Sequence, residues 1–108
     1  MSTEDKIRQQ IANNPVIIYM KGTGDNPQCG FSQAAVEALK SASIDFAYVN
    51  VLEAPFIREK LPKVSNWPTY PQLFIAGELV GGSDVICEMV KDGSLQSLYQ
   101  KVGEQASA

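Results

Sequence analysis

Val16-Ile17-Ile18-Tyr19-Met20 is an unbroken apolar run of β-branched, aromatic and long aliphatic side chains. In a half-exposed strand, apolar and polar residues alternate, because successive side chains point to opposite faces. A run without alternation belongs to a strand covered on both faces. A chain that contains it must therefore place layers on both sides of a sheet. This is the longest apolar run present, and it is far too short to cross a bilayer.

The flanking segments can supply those layers. Ser2-Thr3-Glu4-Asp5 reads as a capping box, and Ile7 and Ile11 follow at helical spacing, so a short helix runs to a stop at Asn13-Asn14-Pro15. Gly22 to Gln28 is a loop by composition. A helix opens at Cys29-Gly30, with Phe31, Ala34, Ala35, Ala38 and Leu39 on one face. Phe46 to Val51 reads as a second strand. Ala54-Pro55 starts another helix with Ile57 and Leu61 facing inward, and Pro62 is expected to close or kink it. Trp67-Pro68-Thr69-Tyr70-Pro71 is turn-like. Gln72 to Ala76 reads as a strand, Gly77-Glu78 as a tight turn and Leu79-Val80 as the hairpin partner. Gly81-Gly82-Ser83-Asp84 leads into a helix that Gly93 breaks. Leu95, Leu98, Tyr99 and Val102 mark a last helix, and residues 103–108 are expected to form a disordered, frayed tail. Strands separated by helices pair in parallel, and a late hairpin pairs antiparallel. The order predicts an α/β chain with a central four-stranded mixed sheet flanked by helices, in one domain spanning residues 1–108.

Charge and cysteine usage narrow the function. A net charge of −3 with no basic run argues against nucleic acid or an anionic membrane as partner. Met1 to Lys6 lacks the basic-then-apolar order of a signal peptide, and the two cysteines fit a reducing compartment, so a cytoplasmic location is expected. With two cysteines and no histidine, one chain cannot close a four-ligand zinc site or an iron–sulfur cluster from those residue types alone.

Cys29-Gly30-Phe31-Ser32 carries one thiol where a dithiol oxidoreductase needs Cys-x-x-Cys. Cys29 stands where a loop becomes a helix, so free amide N–H groups and the helix dipole favour its thiolate, and Lys21 at the end of the first strand adds positive charge. Ser32 reads as a backbone-bonding serine whose information is that it is not cysteine. Phe31 reads as packing that shields the sulfur. Pro71 precedes a strand, where it reads as a cis proline or as an ordinary trans one. Gly81-Gly82-Ser83-Asp84 opens a helix, and taken alone it reads as a cap before it reads as an anion site. Arg58 alone is as much a solvated charge as a ligand contact, and Lys63 is weaker still. Cys87 sits at the edge of the Ile86, Met89 and Val90 stripe and reads as packing, with a disulfide to Cys29 left open.

Together, Lys21, Cys29-Gly30-Phe31-Ser32, Arg58, Trp67 to Gln72 and Gly81-Gly82-Ser83-Asp84 resemble the monothiol glutaredoxins of the CGFS type, over a match from about Ile7 to Val102. The element order fits the thioredoxin-like class. The resemblance implies glutathione binding and a [2Fe–2S] cluster bridging two subunits. It also implies a role in cluster assembly and transfer, with BolA-type proteins and apo iron–sulfur proteins as partners. It implies that Lys21 and Arg58 hold the glycyl carboxylate of glutathione, and that the Tyr70 backbone before cis-Pro71 pairs with the cysteinyl unit. Thr69 is placed in the same turn or groove wall. Gly82, Ser83 and Asp84 are placed at the γ-glutamyl end, and Cys29 is both the reactive thiol and the metal ligand.

Three functions follow as expectations. A cluster carrier would take one Cys29 from each of two chains and two glutathione thiols to reach four sulfurs, giving a homodimer when cluster-bound. A glutathione-dependent monothiol oxidoreductase would use Cys29 to remove glutathione from protein mixed disulfides. In the family, the long loop from Gly22 to Gln28 is associated with weak activity of that kind, which ranks it second. A plain docking module using the Cys29 face is third.

Overall fold

The structure is a computed structural model that describes residues 2–107, with side-chain surroundings described for residues 2–102. In chain order the elements are α1 (Thr3–Asn13), β1 (Val16–Met20), α2 (Gly30–Ser41), β2 (Ala47–Asn50), α3 (Pro55–Ser65), β3 (Gln72–Ile75), β4 (Glu78–Gly81), α4 (Ser83–Asp92) and α5 (Ser94–Ser107). The capping box at the start of α1 is formed. The Asp5 amide donates to Ser2 Oγ at 3.1 Å, and the Ser2 amide donates to the Asp5 carboxylate at 3.3 Å.

All five residues of β1 are buried, as the missing alternation requires. Val16, Ile18 and Met20 pack with Leu73 and Ile75 against α2, α4 and α5, through Val36, Leu39, Ile86 and Leu95. Ile17 and Tyr19 point the other way and pack with Phe74 against α1 and α3, through Ile7, Ile57 and Leu61. The Tyr19 and Phe74 rings meet edge to face, 5.7 Å apart. The Tyr19 hydroxyl donates to Gln10 Oε1 at 2.9 Å, so the polar atom of this buried ring is satisfied.

The sheet order is β2-β1-β3-β4, with β1 and β2 parallel and the other two pairings antiparallel. This is the mixed four-stranded sheet expected. The pairing Tyr19↔Gln72 sets the C-terminal end of β1 beside the start of β3. The pairing Leu73↔Gly81 brings the end of β4 to the same place. Lys21, the segment before Gln72 and the start of α4 therefore meet at one end of the sheet.

Three local expectations change. Of the two expectations for Pro62, closing or kinking α3, closure does not occur; the helix continues to Ser65 and stops at Asn66 in the left-handed conformation. The hairpin turn is Ala76-Gly77 rather than Gly77-Glu78, because Ile75 pairs with Glu78 and both turn residues have positive φ, 53° and 82°. A glycine at the first turn position would give one primed turn and a glycine at the second gives the other, so the sequence alone does not separate the two registers. Finally, α5 continues past Gly103 to Ser107, where a frayed tail is expected; a single glycine costs about 1 kcal/mol in a helix and does not by itself end one. Ala108 lies outside the described residues.

Burial of β1 on both sides has a measurable consequence. Ile17 and Ile18 are adjacent and face opposite layers, yet both are almost fully buried. Ile17→Ala and Ile18→Ala should each cost about 2–5 kcal/mol in denaturant unfolding. A near-zero cost for either one would mean that its side of the sheet is not covered.

Candidate functional site

Cys29 caps α2 with extended backbone, and its side chain closes no capping hydrogen bond. The first-turn amides are thus left to receive negative charge when the thiol ionises. The Cys29 thiol is held below the usual cysteine range. The largest cause is the Ser32 amide N–H, opposed by partial burial and then assisted by the Phe31 amide, the Lys21 charge and the Ser32 hydroxyl. Ser32 is fully buried, and its Oγ accepts from the Lys21 amide at 3.1 Å. Its expected backbone bond exists, but it also ties the end of β1 to the start of α2 and adds a pull on the sulfur. Phe31 is 65 % exposed, which corrects its reading as packing: it stands at the mouth of the site.

The loop from Gly22 to Gln28 is closed on itself. The Gln28 amide donates to the Lys21 carbonyl at 2.9 Å, Thr23 and Asn26 exchange backbone hydrogen bonds, and Gly22 bridges to Pro27. Lys40 Nζ donates to the Gly24 carbonyl at 2.9 Å, anchoring the loop to α2.

Lys21, Cys29, Arg58, Thr69, Tyr70, Pro71, Gly82, Ser83 and Asp84 all border one cleft of about 630 Å³. Lys21 and Cys29 come from the end of β1 and the start of α2, and Arg58 from α3. Thr69, Tyr70 and Pro71 form the wall before β3, where the Tyr70–Pro71 bond is cis as expected. Gly82, Ser83 and Asp84 form the opening of α4. A Cβ on Gly82 would lie 3.3 Å from the Pro71 carbonyl oxygen and 3.4 Å from Trp67 Nε1, so glycine permits the close approach of α4 to that wall. Arg58 and Asp84 are exposed, and neither Lys21 nor Arg58 is engaged in an ion pair among the described residues. Lys63 is not at the cleft; it lines a separate hollow with Lys60 and Phe56.

Four contributions go beyond the roles assigned from the sequence. Trp67 lines the cleft, and its buried Nε1 has no hydrogen-bond partner. Gln72 is fully buried, and its Nε2 donates to the carbonyls of Trp67 at 2.9 Å and Thr69 at 3.1 Å, fixing the wall from below. A signal for Gln72 does exist: a polar residue opening an otherwise apolar strand must find partners. The Tyr70 hydroxyl donates to the Arg58 carbonyl at 2.7 Å, and Pro62 lies alongside in the lining. Cys87 is half-buried and outside the cleft lining, with its Sγ 3.8 Å from the Ala34 carbonyl oxygen, and both cysteines are free.

Comparison with known proteins gives a consistent result. The family profile described as Glutaredoxin matches residues 16–80. Glutaredoxin 4 of Pasteurella multocida is 54 % identical over 94 % of each chain. Glutaredoxin 4 of Escherichia coli K12 is 52 % identical over 93 % of this chain and 87 % of its own. Among solved structures, reduced poplar apo GrxS14 superposes with a TM-score of 0.79 at 42 % identity, covering 94 % of this chain and 93 % of its own.

The cause of thiolate stabilisation sets a pH test. Alkylation of Cys29 should titrate below the midpoint found for the unfolded chain, which is about 8.5. Lys21→Gln and Ser32→Ala should each raise that midpoint only slightly, because the larger pull comes from backbone N–H groups that neither substitution removes. A full return to the unfolded value in Lys21→Gln alone would make the lysine charge dominant and overturn the assignment. A lowered folded pKa stabilises the fold above the unfolded pKa, and that contribution is lost as pH falls through the folded value.

Proposed function

The chain belongs to the glutaredoxin family, with its thioredoxin-like fold, and from that premise we propose that it binds glutathione in this cleft and, as a pair of chains, carries a [2Fe–2S] cluster to recipient proteins. The observation that supports this most is convergence. Residues from five separate stretches of chain surround one cleft with a single activated thiol on its border.

Each residue has a role that its chemistry suits. Lys21 and Arg58 meet the glycyl carboxylate of glutathione, with the planar guanidinium able to bond it twice. The main chain of Tyr70, beside Pro71 and Thr69, pairs with the cysteinyl unit as a short strand would. The amides of Ser83 and Asp84 at the start of α4 take the γ-glutamyl carboxylate, Gly82 lets the ligand come close, and the Asp84 carboxylate meets the amino group. Glutathione bound this way carries its thiol toward Cys29.

The cluster is cargo. One chain offers it the Cys29 sulfur, since Cys87 lies outside the cleft lining, with its Sγ 3.8 Å from the Ala34 carbonyl oxygen. Two chains and two glutathione molecules supply four sulfurs, which is the ligand set such a cluster takes. Half of the ligands are exchangeable small molecules, so the assembly can be passed on. A BolA-type protein replacing one chain would give a heterodimer, and apo iron–sulfur proteins are the recipients.

A second reading has one observation in its favour, the lowered pKa of Cys29. The Cys29 thiolate attacks the glutathione sulfur of a protein mixed disulfide, the protein leaves as thiolate, and a second glutathione thiolate then releases oxidised glutathione and restores Cys29. Robust turnover of small glutathione mixed disulfides by a protein that takes up no cluster would put this reading first.

Anaerobic loading with iron, sulfide and glutathione should give a coloured dimer with iron–sulfur charge-transfer bands. Removing glutathione, or making Cys29→Ser, should abolish both colour and dimer. A Cys29→Ser protein that assembles as much cluster as the parent would overturn the ligand assignment. In the cluster-free protein, Asp84→Ala should weaken glutathione roughly tenfold in calorimetry, as expected for loss of a charge-assisted contact.

A further inference from the structure

A proline inside a helix removes the N–H that would bond the carbonyl four residues earlier. In α3 that proline is Pro62, and the carbonyl left without its helical donor belongs to Arg58. The Tyr70 hydroxyl lies 2.7 Å from this carbonyl oxygen, an ordinary length for an O–H donor, while the Ile57 oxygen is farther away at 3.4 Å. The phenol proton therefore serves Arg58. We propose that the Tyr70 hydroxyl is a positioning group for Arg58: it replaces the donor that Pro62 deletes and sets the distance between the arginine-bearing helix and the cleft wall.

Three further observations carry this. Among the described residues, the side-chain hydrogen bonds joining residues 67–71 to α3 all come from the Tyr70 hydroxyl. The other side-chain support of that segment, Gln72, ties it to β3 and not to the helix. The phenol also stays a donor at any ordinary pH. Burial pushes its pKa up to about 12, against the smaller opposing effect of the Arg58 charge.

The inference rests on the reading of the cleft as a glutathione site, and the test separates the two. Tyr70→Phe keeps the ring and removes only the hydroxyl. It should weaken glutathione about two- to tenfold, the worth of one hydrogen bond. It should leave the C-terminal amide of glutathione, which lacks the glycyl carboxylate that Arg58 meets, within twofold of the parent. A general structural defect would weaken both ligands alike. In a Pro62→Ala background the restored backbone N–H at position 62 serves the Arg58 carbonyl, so the same Tyr70→Phe change should cost glutathione less than twofold. Equal losses for both ligands, or in both backgrounds, would overturn the proposal, as would no loss at all. Should the parent protein bind neither ligand, the glutathione reading falls, and thermal unfolding still decides the strut. Tyr70→Phe must lower the melting temperature in the parent and leave it nearly unchanged in Pro62→Ala; equal shifts overturn it.

Discussion

The structure depends on β1 being buried on both faces. Its even-numbered residues need one helical layer and its odd-numbered residues need another, so the sheet sits between α1 and α3 on one side and α2, α4 and α5 on the other. That sandwich fixes the site as well. β3 runs antiparallel to β1 and β4 antiparallel to β3, so the end of β1, the start of β3 and the end of β4 share one end of the sheet. The two helix starts that bear Cys29 and Ser83 follow strands that finish at that end. Convergence of Lys21, Cys29, Pro71 and Ser83 is thus a consequence of strand direction and of covering an apolar run, while Arg58, on α3, is joined to the cleft wall through the Tyr70 hydroxyl.

Within that frame, the thiol is prepared mainly by the backbone. The amides of Ser32 and Phe31 are free because they begin α2, and they remain in place whichever side chains surround them. Lys21 and Ser32 add to this and are themselves locked together, since Ser32 Oγ holds the Lys21 amide. Burial works against the thiolate, and here it is outweighed. A partly exposed sulfur with fixed donors around it keeps its ionisation while remaining open to an outside thiol or metal.

Local pattern serves well for the elements and for the residues that meet the cleft directly. Cys29, Lys21, Pro71 and the Gly82 to Asp84 turn each occupy a junction that composition marks: a strand end, a helix start, a proline before a strand, glycines before a helix. The supports are less visible because they depend on pairings across the chain. Nothing near Tyr70 in sequence says that a carbonyl twelve residues earlier lacks a donor. The clue lies in Pro62, which reads locally as a helix stop; the tertiary contact supplies the missing bond, and the helix continues to Ser65. Phe31 departs from its local reading for a related reason. An aromatic residue at helical spacing is usually buried, but at the first turn of α2 it projects past the end of the sheet into the mouth of the cleft.

The same logic bears on the loop from Gly22 to Gln28. A segment of that composition would be expected to move, yet reciprocal hydrogen bonds between Thr23 and Asn26 close it, and Lys40 and Asn50 bind it to the elements on either side. Its base is the Lys21–Gln28 hydrogen bond, immediately before Cys29. The position of the sulfur is therefore set by the folded chain before any ligand arrives. A thiol-transfer site must let its sulfur line up with each incoming disulfide, because the leaving sulfur has to depart opposite the attacking one. A site that holds cargo between two copies has the opposite need: a fixed sulfur reduces the ordering that assembly requires. The pinned loop fits the second need, whereas the backbone-held thiolate serves either one.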